Sequence, residues 1–303
     1  MAVTLNQLQS FLAVAREGSV SAAADKLYVT QPSISAAVSA LSRELGVDLT
    51  ERVGRGVGLT AAGDAFRPYA ADVLGLIEQG RKAAREAADE SMRSLRIVAV
   101  ATAAEYVVPS ILRSFATAHP EINLALEVAN RAELFDRVLE HEVDVAIAGR
   151  PPEDERIAGR AFLENEITLI AAPGDDLARG KPVRPEELSG RVWLMRESGS
   201  GTRHLVSEFL ADHDLRPQTL TLGSNGAIKQ GLAIGLGVTL ISRLAVAREL
   251  RDGALCEIPV PGTPLNRPWF VLLAAAGPRR PAVTEFAEFL RSDQARRVID
   301  ESL

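Results

Sequence analysis

Apolar residues recur every three or four positions through residues 5–89, which is the spacing of helices with one buried face. A first amphipathic helix is predicted before Gly18, and two shorter helices follow within residues 19–45. The link between these two helices, residues 28–30, is too short for anything but a sharp turn. Ser19 or Ser21 is placed to cap the first of them. The pattern predicts a helix-turn-helix.

The second of these short helices has two faces of different character. Its apolar stripe consists of Ile34, Val38, Leu41 and Leu45, which predicts one buried face. The opposite face carries small or short polar side chains, which allow a helix to lie against base edges and phosphates. An ordinary pair of closely packed helices is the alternative. The DNA contacts predicted from the two helices are Ser19, Gln31, Pro32, Ser33, Ser35, Ala36, Ser39 and Arg43.

A glycine-rich segment after these helices predicts a two-stranded wing, formed by residues 47–49 and 52–59. Arg52 and Arg55 lie in this segment, where they are placed to meet DNA phosphates. The wing and the helices before it predict a winged helix-turn-helix domain over residues 1–60.

A long helix is predicted next, over residues 61–89, and residues 61–90 are assigned to a linker and dimerisation helix. Its apolar residues alternate spacings of three and four, which defines a heptad seam. A helix this one-sided needs a partner, and an antiparallel helix of a second subunit is favoured over packing within the same chain. Pro68, near the first turns, is expected to bend it. The seam consists of Phe66, Tyr69, Val73, Leu76, Gly80, Ala83 and Ala87, widened by Ala70, Ile77 and Ala84.

The period changes after residue 94, where short apolar runs alternate with helical patterns. Strands alternating with helices predict parallel sheets with right-handed crossovers. We expect an α/β region over residues 91–303 with two lobes. The first lobe comprises residues 91–165 and 269–303, and the second comprises residues 166–268.

Composition supports this division and adds a constraint on DNA binding. A chain of 303 residues with 47% hydrophobic residues suits two or three domains with sizeable cores. The net charge is −6, and residues 1–60 contain five basic and five acidic side chains, so no strongly basic face appears in the count. DNA affinity would therefore depend on several DNA-binding domains acting together.

The sequence contains no 18-residue apolar run and no basic-then-apolar leader pattern, so a cytoplasmic protein is expected. The single Cys256 excludes an internal disulfide and is expected to be a buried strand residue.

No catalytic, metal or cofactor motif stands out. The four histidines lack metal-ligand spacing, and Gly180-Lys181-Pro182 lacks the upstream glycine of a phosphate-binding loop. Ser200 does not lie in a nucleophile elbow. We therefore expect neither an enzyme nor a bound cofactor.

Possible anion-binding positions occur at four helix starts. Each follows the carboxyl end of a predicted parallel strand, where ligands bind in open α/β sheets. Exposed amides and hydroxyls at such helix starts hold carboxylates or phosphates. Taken alone, each position is better explained as a helix cap, and Arg131 is equally compatible with a solvated surface charge. The effector-binding residues predicted in one cleft are Thr102, Arg131, Ser198, Ser200, Gly201, Thr202, Ser224 and Asn225.

The first sixty residues resemble the N-terminal domain of LysR-type transcriptional regulators. The family commonly has an acidic residue at Ser42, an aromatic at Thr50 and a long polar residue at Ala37, so the chain departs from it there. Thr50 removes a wing anchor, and Ala37 bears on base preference. The matching residues are Leu8, Phe11, Gly18-Ser19, Ala23-Ala24, Leu27, Gln31-Pro32-Ser33, Ser35, Leu41, Leu45-Gly46, Leu49, Arg52, Leu59-Thr60 and Gly63.

The resemblance implies an all-α winged helix-turn-helix domain, a linker helix and a two-lobed, periplasmic-binding-protein-like α/β effector domain. It also implies a homotetramer that binds double-stranded operator DNA and a small effector. Residues 196–203 and 222–243 are similar to the Calvin-cycle-operon branch, which senses small anionic metabolites, although Gly226 replaces a common acidic residue. A solute-binding module without a DNA-binding role is the alternative that the second half alone would suggest, and the helix-turn-helix argues against it.

Overall fold

The computed structural model describes residues 3–178 and 180–301, which form two compact units. The first unit contains the described residues up to 88 together with residues 139–142 and 276–278, and the second contains the remainder. The predicted domain limits at residues 1 and 303 lie outside the described residues.

The first unit is built from helices that end where the sequence predicts. Ser19 caps the second helix by accepting a hydrogen bond from the Ala22 N–H. Gly18 and Gly46 adopt left-handed φ angles of 62° and 74° and end the first and third helices. The elements are α1 (Leu5–Glu17), α2 (Val20–Leu27), α3 (Gln31–Leu45), β1 (Thr50–Val53), β2 (Gly56–Leu59) and α4 (Ala61–Ala88).

The wing begins later than the sequence predicts. Its first strand is β1, which pairs antiparallel with β2, whereas residues 47–49 are not part of the hairpin. Leu49 is buried in the core of α1–α3, and its N–H donates to the Ser42 Oγ at 3.3 Å. Residues 47–49 therefore close the end of α3, and the prediction of a strand there was wrong.

Helix α4 continues through Pro68 without interruption, and its predicted seam divides into two sets. Ala70 is buried in the core formed with α1 and α3, and Phe66 packs against the same core. Tyr69, Val73 and Ile77 remain 70%, 45% and 48% exposed. One part of the seam thus packs within the chain, while these three residues leave an apolar stripe on the surface.

The first lobe of the second unit contains a five-stranded sheet. Its strands, in spatial order, are β4 (Asn123–Ala129), β3 (Ser94–Val100), β5 (Val145–Ala148), β13 (Trp269–Ala274) and β6 (Ile157–Leu163). Strand β3 pairs parallel with β4 and β5, whereas β13 runs antiparallel to β5 and β6. Helices α6 and α11 cover its apolar core, which includes Ile97, Phe115 and Phe286. The elements are β3 (Ser94–Val100), α5 (Ala101–Tyr106), α6 (Val108–Ala118), β4 (Asn123–Ala129), α7 (Arg131–Leu139), β5 (Val145–Ala148), β6 (Ile157–Leu163), β13 (Trp269–Ala274), α11 (Pro281–Phe289) and α12 (Asp293–Asp300).

The second lobe packs around Trp193, Leu169 and Leu240. Its strands β8 and β9 are parallel, while β10, β11 and β12 each pair antiparallel with β7. The elements are β7 (Glu166–Ala171), β8 (Trp193–Met195), α8 (Gly201–Asp212), β9 (Thr219–Thr221), α9 (Asn225–Ala233), β10 (Thr239–Ser242), α10 (Ala247–Arg251), β11 (Cys256–Glu257) and β12 (Leu265–Asn266).

The α/β fold class is confirmed, but the expectation of purely parallel sheets was wrong: the sheet of the first lobe is mixed, and the second lobe contains an antiparallel sheet around β7 beside the parallel pair β8–β9. Alternation of apolar runs reveals a strand without its direction, and β13 enters the first sheet after the chain has passed through the second lobe. Among the described residues, none of the helices combines the length and apolar character needed to cross a bilayer.

Candidate functional site

The outward face of α3 is fully accessible in the first unit. Ile34, Val38 and Leu41 are buried against α1 and α2, which fixes the rotation of α3 about its axis. The Gln31 Nε2 donates to the Ser21 Oγ at 3.0 Å, so a side-chain hydrogen bond also joins α3 to α2. The exposed residues on the face predicted to contact DNA are Gln31, Pro32, Ser33, Ser35, Ala36 and Ser39.

The three arginines among the predicted DNA contacts, Arg43, Arg52 and Arg55, are exposed as well. In the described part of the chain, none of these arginines forms an ion pair with a carboxylate, so their charge is available to an external anion. Ser19 is different, because it is half-buried and its hydroxyl caps α2.

Tyr28 is an exposed residue of the turn that the sequence-based set omitted. It is 95% exposed and ends α2 with a left-handed φ of 56°. Non-glycine residues adopt this conformation infrequently, and Tyr28 lies three residues before the first residue of α3. Its position in the two-helix link was the only sequence signal.

A cavity of about 550 Å³ lies between the two lobes of the second unit. The effector residues predicted from sequence that line it are Thr102, Arg131, Ser200, Gly201 and Thr202. Further lining residues that sequence reasoning missed include Asn165, Arg150, Arg196, Glu197, Ser242, Arg267 and Trp269.

Three predicted effector residues lie outside the cavity lining, each for a physical reason. Ser198 is exposed in the loop before α8. The Ser224 Oγ accepts a hydrogen bond from the Ala227 N–H at 3.1 Å and so caps α9. Asn225 is fully buried, and its Nδ2 donates to the Thr102 Oγ1 at 3.3 Å and to the Glu105 Oε2 at 2.9 Å.

The start of α8 is open at this cavity, as is the start of α5, which Val100 precedes without a side-chain capping bond. Ser200 precedes α8 without a side-chain capping bond, and residues 200–202 all line the cavity. By contrast, the first turn of α7 is capped by the Asn130 Oδ1, which accepts from the Glu133 N–H at 3.0 Å. Free N–H groups and the helix dipole give the start of α8 a partial positive charge.

Arg131 adds a desolvated full charge. Its Nη2 donates to the Arg150 carbonyl oxygen at 2.6 Å, and its guanidinium lies 4.6 Å from the centre of the Phe135 ring. Burial lowers the pKa of Arg131, since none of these contacts supplies a negative charge. Within the described residues, Arg131 forms no ion pair, and it lines the cavity.

Arg196 is a second buried arginine, 5% exposed, at the end of β8. It forms two hydrogen bonds with Glu197 and one with Asn225. Arg267 lies 3.6 Å from Glu208, which also lies 3.2 Å from His204. Among the described residues, the cavity lining therefore holds four arginines and three glutamates.

Cys256 is the single cysteine of the chain. Cys256 lies half-buried in β11, and its Sγ donates to the Ala172 carbonyl oxygen at 3.1 Å. Burial raises the pKa of this thiol, which makes it a poor nucleophile.

Among the described residues, no group of three histidine, cysteine, aspartate or glutamate side chains could hold a metal ion.

Two family models match the chain and together span most of it. The first, the bacterial regulatory helix-turn-helix protein of the lysR family, matches residues 5–64. The second, the LysR substrate binding domain, matches residues 88–295.

Individual relatives extend these matches. A RuBisCO operon transcriptional regulator from Acidithiobacillus ferrooxidans is 33% identical over 288 residues, covering 95% of this chain and 93% of that protein. The Synechocystis CcmR regulatory domain, solved in complex with 2-PG, is 30% identical with a TM-score of 0.62, covering 65% of this chain and 95% of that one. Full-length OxyR from Pseudomonas aeruginosa shares the fold, with a TM-score of 0.68 at 23% identity over 97% of both chains.

Proposed function

The chain belongs to the LysR family of bacterial transcriptional regulators, and on this premise we propose that a small anion in the cavity of the second unit controls its action on DNA. The chain is a DNA-binding regulator and not an enzyme, as the sequence predicts, because its relatives are named transcriptional regulators. We place this activity in the cytoplasm, where operator DNA is accessible.

Arg131 carries the proposal of an anionic effector. Its charge is partly desolvated and lines the cavity without a carboxylate partner among the described residues. The uncapped start of α8 lies in the same cavity and adds N–H donors, with the Thr202 and Thr102 hydroxyls beside them. Such an arrangement favours a carboxylate or a phosphate over a neutral ligand.

The relatives narrow the effector class within this proposal. Several are regulators of the RuBisCO operon, and the related CcmR domain binds 2-phosphoglycolate. We therefore propose a small phosphorylated carboxylate. Gly226, which departs from the branch pattern, is exposed and outside the cavity lining, so the departure does not argue against this class.

For DNA, we propose that residues 31–39 of α3 enter the major groove and that the wing arginines contact phosphates. This proposal is supported by the exposure of the α3 residues on the face opposite its buried side, and by the exposure of Arg52 and Arg55 in the wing. The working division is residues 1–60 for DNA binding, 61–90 for the linker helix and 91–303 for the effector domain.

The exposed stripe of α4 supports the proposal of a homo-oligomer, built as a dimer of dimers. Tyr69, Val73 and Ile77 recur every four residues, and burying them against the same helix of a second subunit would remove this apolar surface from water. Val73→Asp would place a charge in that interface and should yield smaller species in sedimentation velocity. Glu78→Lys, which reverses the charge of an exposed residue on a different face of α4, should leave the assembly intact. Equal sedimentation of both variants and the wild type would reject the α4 interface.

The effector proposal is tested by titrating the full chain with 2-phosphoglycolate in a calorimeter. Arg131→Gln should weaken binding at least about tenfold, which corresponds to about 1.4 kcal/mol. The control is Arg216→Gln, which removes the same charge from a side chain that is 91% exposed. No binding of 2-phosphoglycolate or of related phosphate esters by the wild type would contradict a phosphorylated effector.

A further inference from the structure

The guanidinium of Arg196 already has an anionic partner within the cavity. The Nε lies 2.7 Å from the Glu197 Oε2, and the Nη2 lies 2.9 Å from the Glu197 Oε1. The Nη1 donates to the Asn225 Oδ1. Glu197 thus binds one edge of Arg196 through two oxygens, as an external carboxylate or phosphate would.

The two partners differ in how easily each can leave the pair. Arg196 is 5% exposed, and leaving its charge buried without a counter-charge would be strongly unfavourable. The Glu197 side chain is 39% exposed, so its carboxylate can turn to water. Both residues line the cavity.

Glu197 is held as an anion in this position. Partial burial raises the pKa of Glu197, whereas the hydrogen bonds from Arg196 and from its own backbone N–H lower it, and its net pKa lies below the ordinary value for glutamate. At neutral pH the pair is therefore carboxylate and guanidinium.

We propose that Glu197 is an internal competitor of the effector: its carboxylate and the anionic group of the effector bind the same edge of Arg196 in exchange for one another. The inference rests on the proposed anionic effector. The exchange replaces one negative charge by another, so a neutral ligand cannot displace Glu197 without leaving Arg196 buried and uncompensated.

The exchange would reach the first lobe through Asn225. This side chain accepts from Arg196 and donates to Thr102 and Glu105, which lie in the first lobe. A change of partner at Arg196 therefore acts on hydrogen bonds between the lobes.

The test compares two glutamates of the same cavity in the full chain. Glu197→Gln keeps the size of the side chain and removes the competing charge, so the Kd for 2-phosphoglycolate should fall at least fivefold in calorimetry. Glu133→Gln removes an equal charge from the cavity without freeing Arg196, and its Kd should fall less than twofold. Glu197→Asp, which retains the charge but shortens the reach, should give an intermediate gain and covers the case in which Glu197→Gln is poorly folded.

The outcomes separate the two proposals. Binding by the wild type with equal or weaker binding by both Glu197 variants, relative to Glu133→Gln, would overturn the competitor role and leave the anionic effector standing. Absence of binding by the wild type and by every variant would overturn the proposed effector class and this inference with it.

Discussion

Ser200 precedes α8 and Ser224 precedes α9, and each serine follows one strand of the parallel pair β8–β9. The sequence places a serine before each helix, but in the structure Ser224 caps its helix and Ser200 does not. Ser224 satisfies the first turn of α9 by accepting from the Ala227 N–H, whereas Ser200 makes no capping bond and opens on the cavity. A serine before a helix thus either caps the helix or leaves its first turn open to a cavity, and its surroundings decide which.

Substitution of Asn225, the first residue of α9, is expected to change stability more than any other substitution that tests this comparison. Asn225→Leu would leave Arg196, Thr102 and Glu105 without a shared buried partner, and should lower the free energy of unfolding by about 3 kcal/mol. Tryptophan fluorescence during urea unfolding reports this selectively, because the two tryptophans both lie in the second unit. Gln230→Leu, at an exposed position of the same helix, should change stability by less than about 0.5 kcal/mol.

The two serines themselves should respond in opposite ways to alanine. Ser224→Ala removes a real cap and should cost about 1 kcal/mol of stability without altering the Kd for 2-phosphoglycolate. Ser200→Ala should leave stability nearly unchanged and raise the Kd for 2-phosphoglycolate roughly fivefold, a loss of about 1 kcal/mol of binding free energy. A loss of stability in both variants would show that α8 is capped like α9.

Thr202 tests the open helix start with a smaller change. Thr202→Val keeps the side-chain volume and removes one hydroxyl, so the ligand should bind about threefold to fivefold more weakly, a loss of roughly 1 kcal/mol. DNA binding without ligand should be unaffected in a gel-shift assay with the DNA upstream of the chain's own gene. Unchanged calorimetric affinity would place the ligand away from α8.

Gly226 provides the smallest expected effect, because it lies beside the closed helix start. Gly226→Glu restores the acidic residue common in the related branch, but the position is exposed and outside the cavity lining. Screening by solvent should keep the change in Kd below about twofold at physiological salt. A larger loss of affinity would indicate that the start of α9 takes part in binding.

The DNA-binding region was predictable to a degree that the cavity was not. Ile34, Val38 and Leu41 face inward as their spacing predicts, and Ser19 caps α2. The one error there, the strand at residues 47–49, came from Leu49, whose burial follows from contact with the core rather than from its neighbours in sequence. Tyr28 was missed because no period marks a residue in a turn.

In the second unit, the sequence by itself determined that strands alternate with helices and that several helix starts follow strands, although β6, β11 and β12 were not predicted. These features depend on hydrogen bonds and apolar spacing within a few residues, so the local sequence encodes them. It could not determine that β13 runs against its neighbours, that the buried Arg196 pairs with Glu197, or that Ser200 rather than Ser224 faces the cavity. Only the tertiary structure decided these, because strand direction, desolvation and access to a cavity arise from packing between segments that are distant in the chain.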